Sequence, residues 1–267
     1  MKKKRIMNKI FFYVLVCISC TPLLLLSVLA IGVFWPYPLL LPKVSSFKFF
    51  HSVFNDIQSL KAIANTLVIA VFATVLPLLI AVPAAKSLAL YNFRGKALVK
   101  MLVWFPLVVP SISVTMGIHI SIIKLGLTGS FLGVIIIHSV FALPYAMRIM
   151  INVFNMIGDK YEQQAAVLGA NATMTFFRVT LPVIMPGLLS AAAISFAVSL
   201  SQYFTTFIIG GGRIITMTML LVPFIQNLEV QAASVYSLML LGAALLSLFC
   251  IEAAVRRFYN LENIVFV

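Results

Sequence analysis

Residues 159–182 read DKYEQQAAVLGANATMTFFRVTLP, a polar stretch between two long apolar runs. The stretch carries its own folding signals. Asp159 is placed to cap a helix, with Glu162 three residues later as its reciprocal partner, an acidic relative of the capping box. The helix continues through Ala165, Ala166 and Leu168. Gly169 ends it, since glycine enters the left-handed region without Cβ strain. Asn171 can cap a second short helix that carries Phe176, Phe177 and Arg178. Leu181-Pro182 opens the next apolar run, where proline in the first turn costs little. The shape is a helix–elbow–helix. Two readings of it stand: a docking site for a partner, or a loop that folds back on its own bundle.

The runs on either side set the class. The chain has 267 residues, is 63% hydrophobic and 9% charged, and has a mean hydropathy of +1.13. A soluble domain of this size cannot hide that much apolar surface, so the chain is integral to a membrane. A spanning helix needs about 20 apolar residues. Six candidates meet this: 10–34, 64–90, 97–123, 131–153, 183–208 and 232–255. Lys2 to Arg5 resemble the basic start of a signal peptide, and Val28-Leu29-Ala30 a cleavage site. The apolar run of 10–34 is nevertheless longer than the roughly 7–15 residues of a signal core, which favours a span. Cys17, Cys20 and Cys250 show no metal-ligand or disulfide spacing and read as core thiols.

Basic residues orient the spans. The net charge of +13 would suit nucleic acid if it gathered on one face. Instead the Lys and Arg flank the apolar runs, so nucleic acid is not a partner. If both termini are cytoplasmic, fourteen of the nineteen lie in inside segments. The expected organisation is a basic cytoplasmic N-terminus (1–9), a first span (10–34), an extracytoplasmic segment (35–63), a five-helix core (64–255) holding the 159–182 loop in the cytoplasm, and a cytoplasmic tail (256–267). In 35–63, Phe47, Phe50, Phe54, Ile57 and Leu60 recur at helical spacing, which predicts one amphipathic helix at the outer interface. Gly210-Gly211-Gly212 reverses the chain after a span; no strand or Gly-Lys-Ser/Thr accompanies it, so phosphate binding is not indicated.

Polar residues inside the spans point to a path or to helix contacts. Ser195, Ser199, Gln202, Tyr203 and Thr206 form one stripe if 183–208 is a continuous helix. Such a stripe faces a pore or hydrogen-bonds another helix. Ser111, Ser113 and Thr115 follow Pro106 and Pro110, which predicts a bend, near a path or purely structural. Pro77 and Pro83 can bend 64–90 likewise. No Asp or Glu lies deep in a span. Glu252 can pair with Arg256 as an anchor. His119 and His138 read as buried hydrogen-bonding groups, and Arg148 can snorkel inward. No paired Asp, His-Glu-x-x-His or Gly-x-Ser-x-Gly is present, so an intramembrane enzyme is disfavoured.

The loop resembles the EAA loop of permease subunits of ATP-binding-cassette importers, in which Glu-Ala-Ala is followed by Gly and then by Ile-x-Leu-Pro. The matching positions are Gln163-Gln164-Ala165, Gly169 and Val179-Thr180-Leu181-Pro182. Asn92-Phe93-Arg94-Gly95, Pro106 to Pro110, and His138 through Ala142-Leu143-Pro144-Tyr145 resemble the branch that serves polyamine, iron, thiamine and phosphonate importers. The resemblance covers roughly residues 45–255. It implies an all-α, six-span, type I importer permease of the bacterial inner membrane. It further implies a coupling helix that docks on an ATP-binding subunit through Glu162, Gln163, Gln164, Ala165, Gly169, Leu181 and Pro182. The implied partners are a dimer of ATPase subunits, a second permease and an extracytoplasmic solute-binding protein. The chain would then be non-catalytic and hold no cofactor or metal, with ATP and Mg on the ATPase. The family's Glu is Gln163 here and its first Ala is Gln164, and Ser201 and Gln202 stand where polyamine permeases often carry acids. A stand-alone secondary transporter or channel is the alternative; it lacks intramembrane carboxylates and a visible internal repeat.

Overall fold

The computed structural model describes residues 2–34, 39, 42 and 44–259. It is almost wholly helical, with one short antiparallel pair of strands, β1 (Gly32–Phe34) and β2 (Val44–Ser45). The tail beyond 259 lies outside the described residues, as do the side chains of residues 2–10 and of Arg256.

Helix α1 (Lys2–Ile31) contributes an apolar span over Phe11–Ile31 and packs on the last helix, α12 (Val230–Tyr259). Ala30, at its outer end, is fully buried with Val53, Met217 and Val235. The expected single amphipathic helix of the outer segment is two. Helix α2 (Lys48–Asn55) stops at Asp56, whose extended backbone and carboxylate start α3 (Ile57–Leu90). Asp56 accepts from the amides of Gln58 and Ser59 and from the Ser59 hydroxyl, at 3.2, 2.9 and 2.7 Å. These bonds, the hydroxyl's first, hold its carboxyl below the usual carboxylate range. Ile57 and Leu60 therefore belong to the span.

Helix α3 runs unbroken through Pro77 and Pro83. Its 34 residues correspond to about 51 Å, more than the roughly 30 Å hydrocarbon layer, so it tilts or projects. The 97–123 run is not one straight helix. Helices α4 (Lys96–Val108) and α5 (Ser111–Lys124) meet at a bend of 112°. Pro110 bars its predecessor Val109 from helical geometry and has no amide to donate, so a break replaces the expected kink.

Helix α6 (Phe131–Ile157) is the axis of the core. It packs along α3 and along α9 (Leu181–Leu200), and α10 (Tyr203–Gly210) touches its outer half. Toward the 159–182 loop, Ala81, Ala85, Met147, Met150, Phe154 and Ile184 form the apolar centre. At the opposite end it is Ile69, Val134, Ile137, Phe141 and Ile209. Small residues bring the backbones close, as helix packing within lipid requires. A Cβ built on Gly187 of α9 would lie 2.2 Å from Val153 Cγ2. Helix α11 (Met217–Gln226) closes the outer end, tied to α3 where Thr66 Oγ1 accepts from the Met217 amide at 2.9 Å.

Candidate functional site

The 159–182 loop folds as α7 (Lys160–Val167), α8 (Ala172–Thr175) and a π-helical turn (Phe176–Thr180) that runs into α9. Gly169 adopts φ +83°. Its amide bonds Ala166 O, and the Ala170 amide bonds Ala165 O, both at 3.0 Å. That pattern is a Schellman stop. Asn171 Oδ1 caps α8 by accepting from the Met174 amide at 2.8 Å. The expected capping box at the start of α7 is absent. Asp159 makes no side-chain cap and instead accepts from Gln163 Nε2 at 2.7 Å. Glu162 turns inward: Oε2 meets Lys86 Nζ at 2.5 Å and Oε1 accepts from Thr180 Oγ1 at 2.6 Å. A carboxylate drawn to an ammonium on another helix outcompetes a local amide, because charge-assisted bonds are about twice as strong as neutral ones.

The remaining loop positions divide by exposure. Ala165 is buried against the bundle, Leu181 and Pro182 are half-buried, and Gln163, Gln164 and Gly169 are exposed. At the tip, Val167 and Leu168 are 88% and 87% exposed. Two apolar side chains thus stand exposed where α7 ends at the Schellman stop. Their position just before the helix-ending glycine was a signal in the sequence. The Lys86–Glu162 pair had no local signal, since its members lie 76 residues apart.

The polar stripe does not stay on one helix. The span breaks at Ser201 and Gln202 between α9 and α10. Ser195, Ser199 and Thr206 are buried inside the subunit, while Gln202 and Tyr203 are half-buried. His138, buried on α6, lies 2.9 Å from Ser199 Oγ through Nδ1 and 2.9 Å from Thr206 Oγ1 through Nε2. Thr206 spends its own proton on the Gln202 carbonyl, at 2.7 Å. It therefore accepts from Nε2–H, and Ser199 donates to Nδ1. This relay ties α6 to both sides of the break. Ser195 Oγ and His119 Nε2 are buried without a hydrogen-bond partner among the described residues. On α5, Ser111 and Ser113 are exposed; Thr115 is buried and donates to Ser111 O at 2.7 Å.

Stacked apolar helices of spanning length, a bent helix pair and a structured polar loop define an integral membrane protein. Residues 78–260 match the family described as the binding-protein-dependent transport system inner membrane component. The chain belongs to this family of ATP-binding-cassette importer permeases. It is 27% identical to the molybdate/tungstate transport system permease protein WtpB of Pyrococcus abyssi over 74% of this chain and 79% of that protein. It is 27% identical to the sulfate transport system permease protein CysT of Salmonella typhimurium over 77% of this chain and 80% of that protein. Against the osmoprotective compounds uptake permease protein GgtD of Synechocystis sp. it is 35% identical over 51% of this chain, spanning 46% of that protein. Among solved structures, a bacterial ABC transporter involved in import of the acidic polysaccharide alginate superposes with a TM-score of 0.68 over 95% of both chains at 17% identity. That likeness establishes the type I importer fold. The polyamine-type branch expected from the short motifs finds no support among these relatives.

Proposed function

We propose that this chain forms half of a solute path and takes its drive from a separate ATPase subunit docked on the 159–182 loop. The carrying observation is the apolar tip of Val167 and Leu168, exposed where α7 ends in the Schellman stop at Gly169 between two spans. Gln163 and Gln164 flank the tip as neutral hydrogen-bonding groups. The second permease faces the exposed apolar sides of the bundle, and a solute-binding protein meets the outer segments. Both termini and the loop lie in the cytoplasm, where the basic residues concentrate.

The solute is an anion, of the oxyanion class. No carboxylate lies deep in a span to ease a cation, and the outer segments hold Lys48, Lys61, Lys124 and Arg213 against Asp56 and Glu229. The names of the molybdate and sulfate relatives favour the same class. Ser111, Ser113, Gln202 and Tyr203 are the path residues this reading retains, since they keep exposure. Ser195, Ser199, Thr206 and Thr115 shape the path from within.

The test compares wild type with Gly169→Pro and with a deletion of 160–169. Both variants are expected to insert normally, to lose co-purification of the ATPase and to lose uptake of labelled molybdate or sulfate. Retained ATPase after the deletion would sink the docking assignment. Uptake of spermidine or of a neutral osmolyte in place of the oxyanions would overturn the substrate class.

A further inference from the structure

Helix α7 is joined to its neighbours by two glycines of positive φ, Gly158 at +67° before it and Gly169 at +83° after it. Backbone hydrogen bonds shape both turns, but none of them ties the helix to α3. The Glu162 side chain does. One oxygen binds Lys86, near the inner end of α3, and the other binds Thr180, the last residue before α9. Its flanks are apolar: Phe154, Ile157, Tyr161, Val183 and Ile184 line the small recess beneath it. The ion pair is about a quarter exposed at each side chain, at 30% for Lys86 and 24% for Glu162, and so is partly shielded from screening. Gln163, the next residue, faces outward to Asp159.

We infer that Glu162 is a positioning residue that braces the docking helix to α3 and α9 together, so that a displacement of the loop reaches two spans at once. Docking and bracing are then divided within one short helix. Val167 and Leu168 hold the partner, and Glu162 passes the motion on. The carboxylate is committed to its own chain, so the partner's cleft needs an apolar pocket and no basic residue for this helix. The inference rests on the docking reading above, and its test separates the two.

Spin labels at Lys160 and Asn92 of the full-length chain in lipid nanodiscs report the distance between α7 and the inner end of α3. Wild type and Lys86→Arg are expected to give a narrow distribution. Glu162→Gln, Lys86→Met and Thr180→Val are each expected to broaden it, while the ATPase still co-purifies at the wild-type yield. A Glu162→Gln distribution that coincides with wild type overturns the brace. Loss of the ATPase with a narrow distribution also overturns it and moves Glu162 to the docking surface. If no ATPase co-purifies even with wild type, the docking reading fails, and the distance distributions still decide the brace.

Discussion

At the scale of single residues, the core depends on a few fully used polar atoms. His138 donates to Thr206 and accepts from Ser199, and Thr206 passes its proton to the Gln202 carbonyl. No donor in that relay is left over, which suits a group shut away from water. Thr206→Val keeps the shape and strands Nε2–H. A stranded buried donor costs about 1–3 kcal/mol, and hydrogen bonds within lipid bundles fall toward the low end of that range. The expected result is a loss of roughly 1–2 kcal/mol in denaturation of the purified protein in mixed micelles. Thr206→Ser should stay near wild type. Equal stability of the valine variant would mean that the relay contributes nothing. The imidazole was legible in the sequence as a buried hydrogen-bonding group, but its partners were not, because they come from helices 61 and 68 residues away.

At the scale of elements, glycine and proline placed the joints, and packing decided which of them opened. Pro110 breaks a span at 112°, whereas Pro77 and Pro83 sit inside a continuous α3. The difference lies in the neighbours. α3 is clasped by α6 and α9 along its length, while α4 buries no residue that could hold a straight course past Val109. The contact of α6 with α9 is as close as it is because Gly187 meets Val153. Gly187→Ala is expected to overpack this crossing at a cost of about 1–3 kcal/mol, and Val153→Ala in the same chain should recover part of it. Thermal unfolding of the two single variants and the double variant reads this directly. Strict additivity would show that the two positions do not meet.

At the scale of the whole molecule, the distribution of charge predicts one orientation. Read as six spans, the chain has fourteen of its nineteen basic residues in segments on the side of the 159–182 loop, and an excess of Lys and Arg marks cytoplasmic segments. With Cys17, Cys20 and Cys250 replaced by Ser, a single cysteine at Gln164 should resist an impermeant thiol reagent in intact cells. One at Gly212 should react. The reverse pattern would invert the topology and place the loop beyond reach of any cytoplasmic ATPase.

By itself the sequence determined that this is a multi-span membrane protein with a structured polar loop. Apolar run length, basic flanks and the residues Gly169, Asn171 and Pro182 act locally, and local signals are readable along a chain. The tertiary structure decided the rest. It turned Glu162 from a cap into an ion pair with Lys86 and split the polar stripe at Ser201–Gln202. It also buried Ser199 and Thr206 against His138 and left Val167 and Leu168 exposed. Each of these depends on which helices become neighbours, and a polar side chain buried in a bundle takes the partner that packing brings within about 3 Å.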